Sequence, residues 1–346
     1  MSNSSQNPVL GWGVIGTGQI SHTVAPDMTG QIGCRRVAVA SRDQGRADEF
    51  AAAHGFARGY GDIAHLLEDP AVEVVYIATP HGTHREIALD AIRHGKHILI
   101  EKPAALNRVQ VDQIREAAAA AGVFAMEGMW MKFSPLFQSL VSEIRGGAIG
   151  EVRSITAGFG FPFPAGGSRW SAELGGSTLL DQGIYPISLA TALIGTPTEV
   201  SARGQITADG VDVAEHITLE FAGGGYAQLA VSMIDFVDTS AVINGTAGWI
   251  SVPRPFFAGS SYTVHAGATA EELFAGRDVE VTVEGNGYVP MIRHVNQMIT
   301  QGTHESDVHP WADCADVFDV MDTARQQLLA RADIRQPAAA AAPFTF

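Results

Sequence analysis

The stretch VLGWGVIGTGQIS, residues 9–21, is an apolar run followed at once by glycines, and it offers two glycine registers. One begins at Gly11; the other runs Gly16-Thr17-Gly18-Gln19-Ile20-Ser21. Glycines that let a backbone approach a pyrophosphate must lie after the strand, where N–H groups and the start of a helix face the phosphates. The apolar strand ends at Ile15, so the second register is selected and Gly11 and Gly13 fall inside the strand. Ser21 takes the third glycine position, where a small residue still allows close packing of helix on strand.

Outward from this point, short apolar runs alternate with Ala-rich helical stretches: CRRVAVAS (34–41), VEVVYIAT (72–79), KHILIEK (96–102) and VFAMEGM (123–129). Such runs, buried on both faces, need parallel pairing through crossover helices, which predicts a doubly wound Rossmann sheet over 1–126. After Met126 the pattern changes to long alternating runs broken by Gly-rich turns, among them EVRSITAGFGF (151–161), AEHITLEFA (214–222) and YAQLAVSMID (226–235). Residues 127–336 therefore read as an α+β domain with a large, mostly antiparallel open sheet. The segments 176–194 and 288–301 are its helical candidates to cover one face. The start SNSSQNP and the Ala/Pro tail, 337–346, have compositions that bury no core, and the tail reads as flexible.

The formal charge of −15 excludes an extended nucleic-acid or anionic-membrane surface, because such binding needs basic patches. With 46% hydrophobic and 17% charged residues, and no long apolar run, the chain reads as water-soluble. The N-terminus has neither the basic nor the apolar region of a secretion signal, and two distant cysteines, Cys34 and Cys314, form no framework. The expected location is the cytoplasm.

The second strand ends in Ser41-Arg42-Asp43, about where an NAD site places a carboxylate for the ribose. A hydroxyl followed by a guanidinium suits a 2′-phosphate instead, which favours NADP. The alternative is Asp43 on the ribose beside a solvated Arg42, which is an NAD site. Strand ends also place Thr79, Pro80, His84, Glu101 and Lys102 at the cofactor crevice. There Lys102 reads either as a group that hydrogen-bonds a substrate hydroxyl or as a surface residue paired with Glu101. Asp181 and Tyr185, four apart on a helical pattern, share a face and suit hydroxyl binding and proton transfer. They equally suit a helix-start acid and a core aromatic. Trp130, Arg169 and Trp170, with Phe161 and Phe163, are candidates to line a substrate cavity; Trp130 alternatively fills core. The histidines His81 and His84 invite a metal, but no carboxylate or cysteine at ligand spacing joins them, so no metal site is expected. His304 and His309 read as loop residues.

In order and spacing, GVIGTGQIS, TPHGTH, EKPAALN, MEGMWMKFSPL and GGSTLLDQGIYP resemble the Gfo/Idh/MocA oxidoreductase family over nearly the whole chain. The EGMWMKF and LLDQGIYP segments look most like its dihydrodiol and NADP-dependent aldose (xylose) dehydrogenase branches, which carry Tyr where many relatives carry His. The resemblance implies a dehydrogenase or reductase exchanging hydride between NADP or NAD and a CH–OH group of a sugar, polyol or cyclic trans-diol. It implies Lys102 as catalytic lysine, Asp181 as substrate-binding aspartate and Tyr185 as acid/base, in a homodimer or homotetramer. His81 departs from the Asn common at its position, whereas His84 matches. The family also contains NADP-sensing regulators and NAD-dependent glycosidases, which stand as the alternatives.

Overall fold

The computed structural model describes residues 8–330 as two compact units, built from 8–105, 109–133 and 284–311 for the first and 106–108, 134–283 and 312–330 for the second. The expected flexible tail lies outside the described residues.

The first unit carries six strands: β1 (Leu10–Ile15), β2 (Cys34–Ala40), β3 (Arg58–Tyr60), β4 (Val74–Ile77), β5 (His97–Glu101) and β6 (Ala125–Gly128). Between them run α1 (Gln19–Val24), α2 (Gln44–His54), α3 (Ile63–Glu68), α4 (His84–Arg93) and α5 (Arg108–Ala121). All pairs are parallel, in the order β3-β2-β1-β4-β5-β6, so strand order reverses between β1 and β4. Ligands of open α/β sheets bind at such a switch point, outside the carboxyl ends of the strands. Strands β1, β4 and β6 are buried at every residue, as continuous apolar runs between helices require. Gly11 lies within β1, where a Cβ would strike the Ala71 carbonyl.

The second unit holds α6 (Pro135–Arg145), β7 (Val152–Gly160), α7 (Ile184–Ile194), β8 (Pro197–Ile206), β9 (Asp212–Phe221) and β10 (Tyr226–Ser232). It continues through β11 (Ala241–Gly245), β12 (Gly248–Val252), β13 (Ser261–Ala266), α8 (Ala270–Ala275) and β14 (Arg277–Glu280) to a C-terminal helix, Trp311–Ala330. Its eight strands pair in the order β14-β13-β12-β11-β7-β10-β9-β8, antiparallel except for β7 with β10. Helix α7 packs on β7 and β10, and Gln327 of the C-terminal helix bonds the backbone of Val200 and Ala202 on β8.

The helical segment expected at 288–301 forms as Val289–Thr300 but does not cover this sheet. It belongs to the first unit, where Asn296 bonds the Trp12 indole and the Ile32 carbonyl. An amphipathic pattern says that a helix buries one face; it does not say against which sheet.

Candidate active site

The expected cofactor site is built on the turn after β1. Gly16 has φ +104°, and a Cβ there would lie 2.5 Å from the Ala78 carbonyl oxygen at the end of β4. Only glycine holds this backbone without strain. Ser21 reaches back from α1 to donate to the Gly16 carbonyl (2.8 Å), so the selected register is locked by its own third position. No atom stands within 4 Å of a Cβ built on Gly18, which leaves room beside Thr17, Gly18, Gln19 and Ile20 for a bulky anionic group. These features fit a dinucleotide pyrophosphate.

Beside this turn, Thr17 Oγ1 lies 3.5 Å from Ser41 Oγ. Asp43 accepts the Arg46 amide (2.8 Å) as the N-cap of α2, so one carboxylate oxygen is already engaged in the helix start. Arg42 is exposed.

The loop that carries Lys102 is held from three sides. The Lys102 amide donates to Glu101 Oε2 (3.2 Å), the Pro103 carbonyl faces His84 Nδ1 (2.8 Å), and the Ala104 amide donates to Glu127 Oε1 (2.8 Å). His84 is fully buried, and its Nε2 faces the Thr79 carbonyl at 2.8 Å. His84 thus ties the end of β4 to the loop after β5, and neither ring nitrogen is left to touch a ligand. Thr79 is further fixed by the Thr83 hydroxyl (2.8 Å), just after Pro80. His309 is in a loop, as expected, but it is buried and lies 2.9 Å from Glu127 Oε2 through Nε2, backing the same carboxylate.

Glu101 itself is buried, with Tyr76 Oη donating at 2.5 Å. Burial pushes its pKa up to about 7 against the opposing pull of Tyr76 and the Lys102 charge. The folded state therefore keeps a proton that the unfolded chain gives up near 4.5, and stability falls as pH rises between those values. The cost above the window is about 3 kcal/mol. Melting curves of Glu101→Gln and wild type should diverge from about pH 5 to about pH 8 in favour of the variant; parallel curves would show that Glu101 does not titrate there.

The residues expected at the substrate, Trp130 apart, lie in the second unit. Asp181 sits on a π-helical turn, Leu179–Gly183, that runs directly into α7 with Tyr185 in its first turn. Rare π turns recur at functional sites, and a sequence read for α-helical spacing does not show one. Asp181 pairs with Arg169 (Nε to Oδ2, 2.6 Å), whose guanidinium stacks 4.4 Å from the Phe163 ring. Trp170 donates to the Pro164 carbonyl (2.8 Å) and packs with Phe163 against Val211, Val213 and Met233. Tyr185 is buried beside Phe257 (ring centroids 4.9 Å) and Phe159 (5.6 Å), which stack on each other at 4.5 Å. Trp130 falls in the first unit, buried against Tyr288 at 5.1 Å.

Sequence reasoning missed two buried acids below the turn, Asp212 and Glu215. Glu215 carried a readable signal: in the period-2 pattern of β9 it shares parity with Ile217, Leu219 and Phe221 on the apolar face.

Comparison with known proteins accords with this arrangement. A family model described as an oxidoreductase family with NAD-binding Rossmann fold matches residues 10–129, and the Gfo/Idh/MocA C-terminal domain matches 137–251. Trans-1,2-dihydrobenzene-1,2-diol dehydrogenase of Xenopus laevis is 33% identical over 92% of this chain and 97% of its own length. The chain belongs to the Gfo/Idh/MocA oxidoreductase family. The enzyme of the same name from Danio rerio is also 33% identical, over the same shares. Among solved structures, the 3-ketoreductase KijD10 from Actinomadura kijaniata, in complex with NADP and TDP-benzene, superposes with a TM-score of 0.83 at 27% identity, covering 93% of this chain and 98% of that one. Levoglucosan dehydrogenase, in complex with NADH and levoglucosan, has the same fold (TM-score 0.82, 22% identity, 93% and 98% covered). This Gfo/Idh/MocA member is thus an oxidoreductase with an NAD(P)-binding Rossmann domain.

Proposed function

We propose that the chain is an NADP-preferring dehydrogenase or reductase acting on a CH–OH group of a sugar, polyol or cyclic trans-diol. The observation that carries this reading is the placement of Asp181 on a π turn that runs directly into the helix whose first turn sets Tyr185 against an aromatic wall. A hydroxyl-bearing ring needs both, an acceptor for its O–H groups and apolar faces for its carbons. The names of the diol dehydrogenases and of the 3-ketoreductase neighbour support hydride exchange at a hydroxyl or keto carbon.

In the proposed oxidation, Asp181 accepts hydrogen bonds from substrate hydroxyls and so fixes which carbon reacts. Tyr185 Oη takes the hydroxyl proton, with the Lys102 ammonium favouring the phenolate that results. The nicotinamide, when bound, supplies the hydride acceptor. Thr17, Ser41 and Arg42 hold the adenosine end, and Trp130, Arg169 and Trp170 shape substrate recognition.

The open face of the second sheet bears a cavity of about 430 Å³ lined by Thr156, His216, Thr218, Gln228 and Val242. A sheet face left uncovered by helices supports a homodimer or homotetramer. Two free, buried cysteines support a cytoplasmic setting. No helix among the described residues is long and apolar enough to cross a membrane.

The test follows nicotinamide absorbance with NADP or NAD and a panel of aldoses, inositols, anhydrosugars and trans-dihydrodiols. Substrate-dependent reduction establishes the dehydrogenase; bound cofactor without turnover across the panel moves the assignment to a sensor or an NAD-dependent glycosidase. In the same assay Arg42→Ala should raise KM for NADP about ten- to a hundredfold and leave KM for NAD unchanged, the loss of one or two charge-assisted hydrogen bonds. An equal change for both cofactors would show that Arg42 does not read the 2′-phosphate.

A further inference from the structure

Two carboxyl groups beneath the π turn have no part in the mechanism proposed above. Asp212, buried at the start of β9, accepts hydrogen bonds through Oδ2 from Ser177 Oγ (2.9 Å) and the Leu179 amide (2.8 Å). Ser177 Oγ in turn accepts the Leu180 amide (3.0 Å). These bonds hold the first residues of the turn that carries Asp181 and leads into Tyr185. Thr178 Oγ1, the Gln182 amide and Ser188 Oγ, on the same turn and helix, are buried without a hydrogen-bond partner, so these three side chains add no anchorage to that which Asp212 provides.

No donor reaches Asp212 Oδ1 or either oxygen of Glu215, three residues on and fully buried, and the two carboxyl groups lie within hydrogen-bonding reach of each other. The residues opposite Glu215 are Val231 on β10 and Gly204 on β8, which offer no polar side chain. Two ionised carboxylates in this setting would leave three buried acceptor oxygens unpaired and set two like charges together out of water. One proton removes the like-charge cost and pairs two of the three oxygens, because it turns one oxygen of Glu215 into a donor for Asp212 Oδ1 and leaves the other as a neutral carbonyl, which costs less to bury than a carboxylate oxygen. Burial and the Asp212 charge both act in that direction, raising the Glu215 pKa well above the usual carboxyl range.

We propose that Glu215 is a positioning residue: as a neutral carboxyl it donates to Asp212 Oδ1 and so fixes the carboxylate that anchors the turn bearing Asp181 and Tyr185. Only the kinetic arm of its test rests on the function proposed above. Glu215→Gln keeps a neutral donor of similar size, and Glu215→Leu removes it. Hydrogen exchange of residues 177–183 should accelerate about tenfold or more in Glu215→Leu and stay near wild type in Glu215→Gln, as expected for losing one buried hydrogen bond. The infrared spectrum of wild type should contain a deuterium-sensitive protonated-carboxyl band at neutral pH that Glu215→Gln lacks. With an identified substrate, kcat should fall about tenfold in Glu215→Leu with KM for the cofactor unchanged, and recover in Glu215→Gln.

Unchanged exchange in Glu215→Leu, equal acceleration in both variants, or no band lost in Glu215→Gln would each overturn the proposal. So would altered exchange with undiminished kcat. If Glu215→Leu does not fold, the infrared comparison of wild type and Glu215→Gln decides alone. A wild-type enzyme that turns over nothing on the panel counts against the proposed function, and the exchange and infrared arms still judge Glu215.

Discussion

In Tyr185→Phe, kcat falls by about two to four orders of magnitude while the affinity for NADP and the melting temperature stay near wild type. The ring is 5% exposed and packs against Phe159 and Phe257, contacts that phenylalanine keeps. What disappears is one oxygen, and with it the group proposed to take the hydroxyl proton. Lys102 is expected to act on the same proton, so Lys102→Met should cost a comparable factor. The double variant should then lose much less than the product of the two, since groups that act as a unit are strongly non-additive. Steady-state kinetics on the three proteins, with cofactor titration by fluorescence, check this. Wild-type turnover in Tyr185→Phe would remove the acid/base assignment, and a fully multiplicative double variant would separate the roles of Lys102 and Tyr185.

The doubly wound parallel sheet and the phosphate turn were legible because each rests on a local constraint. Gly16 needs a positive φ at the end of an apolar strand, and continuous apolar runs need cover on both faces. Asp181 and Tyr185 could be picked out as candidates from their spacing, but the π turn that carries Asp181 could not, since it adds no residue type that marks it. The supports of the Lys102 loop were hidden for a different reason. The sequence places His84 at the crevice without its role as a tie, and Glu127 and His309, distant in sequence, look like ordinary polar residues until their partners are known. Glu215 lies between these cases: its parity on β9 was visible, and only the need to explain a carboxyl on an apolar face was overlooked. The placement of Val289–Thr300 was legible only in part, because periodicity gave the helix and said nothing of its partner.

That last placement has its own test. Asn296→Ala should destabilise the protein by about 2–5 kcal/mol, through groups left unpaired rather than through lost apolar area. Asn296 Oδ1 accepts the Trp12 indole N–H at 3.0 Å, and Nδ2 donates to the Ile32 carbonyl at 2.7 Å and to Cys34 Sγ at 3.2 Å. Trp12 is fully buried in β1, so its N–H has no route to water when the acceptor is removed. Asn296→Asp retains the acceptor but loses the donors and sets a charge in a buried site, so it should fare no better than alanine. Because β1 leads directly into the Gly16 turn, saturating NADP should recover part of the lost stability in proportion to how well the weakened unit still binds it. Chemical denaturation with and without NADP measures both quantities. A loss below about 0.5 kcal/mol, the range of ordinary surface changes, would show that the helix is not anchored to β1 through Asn296.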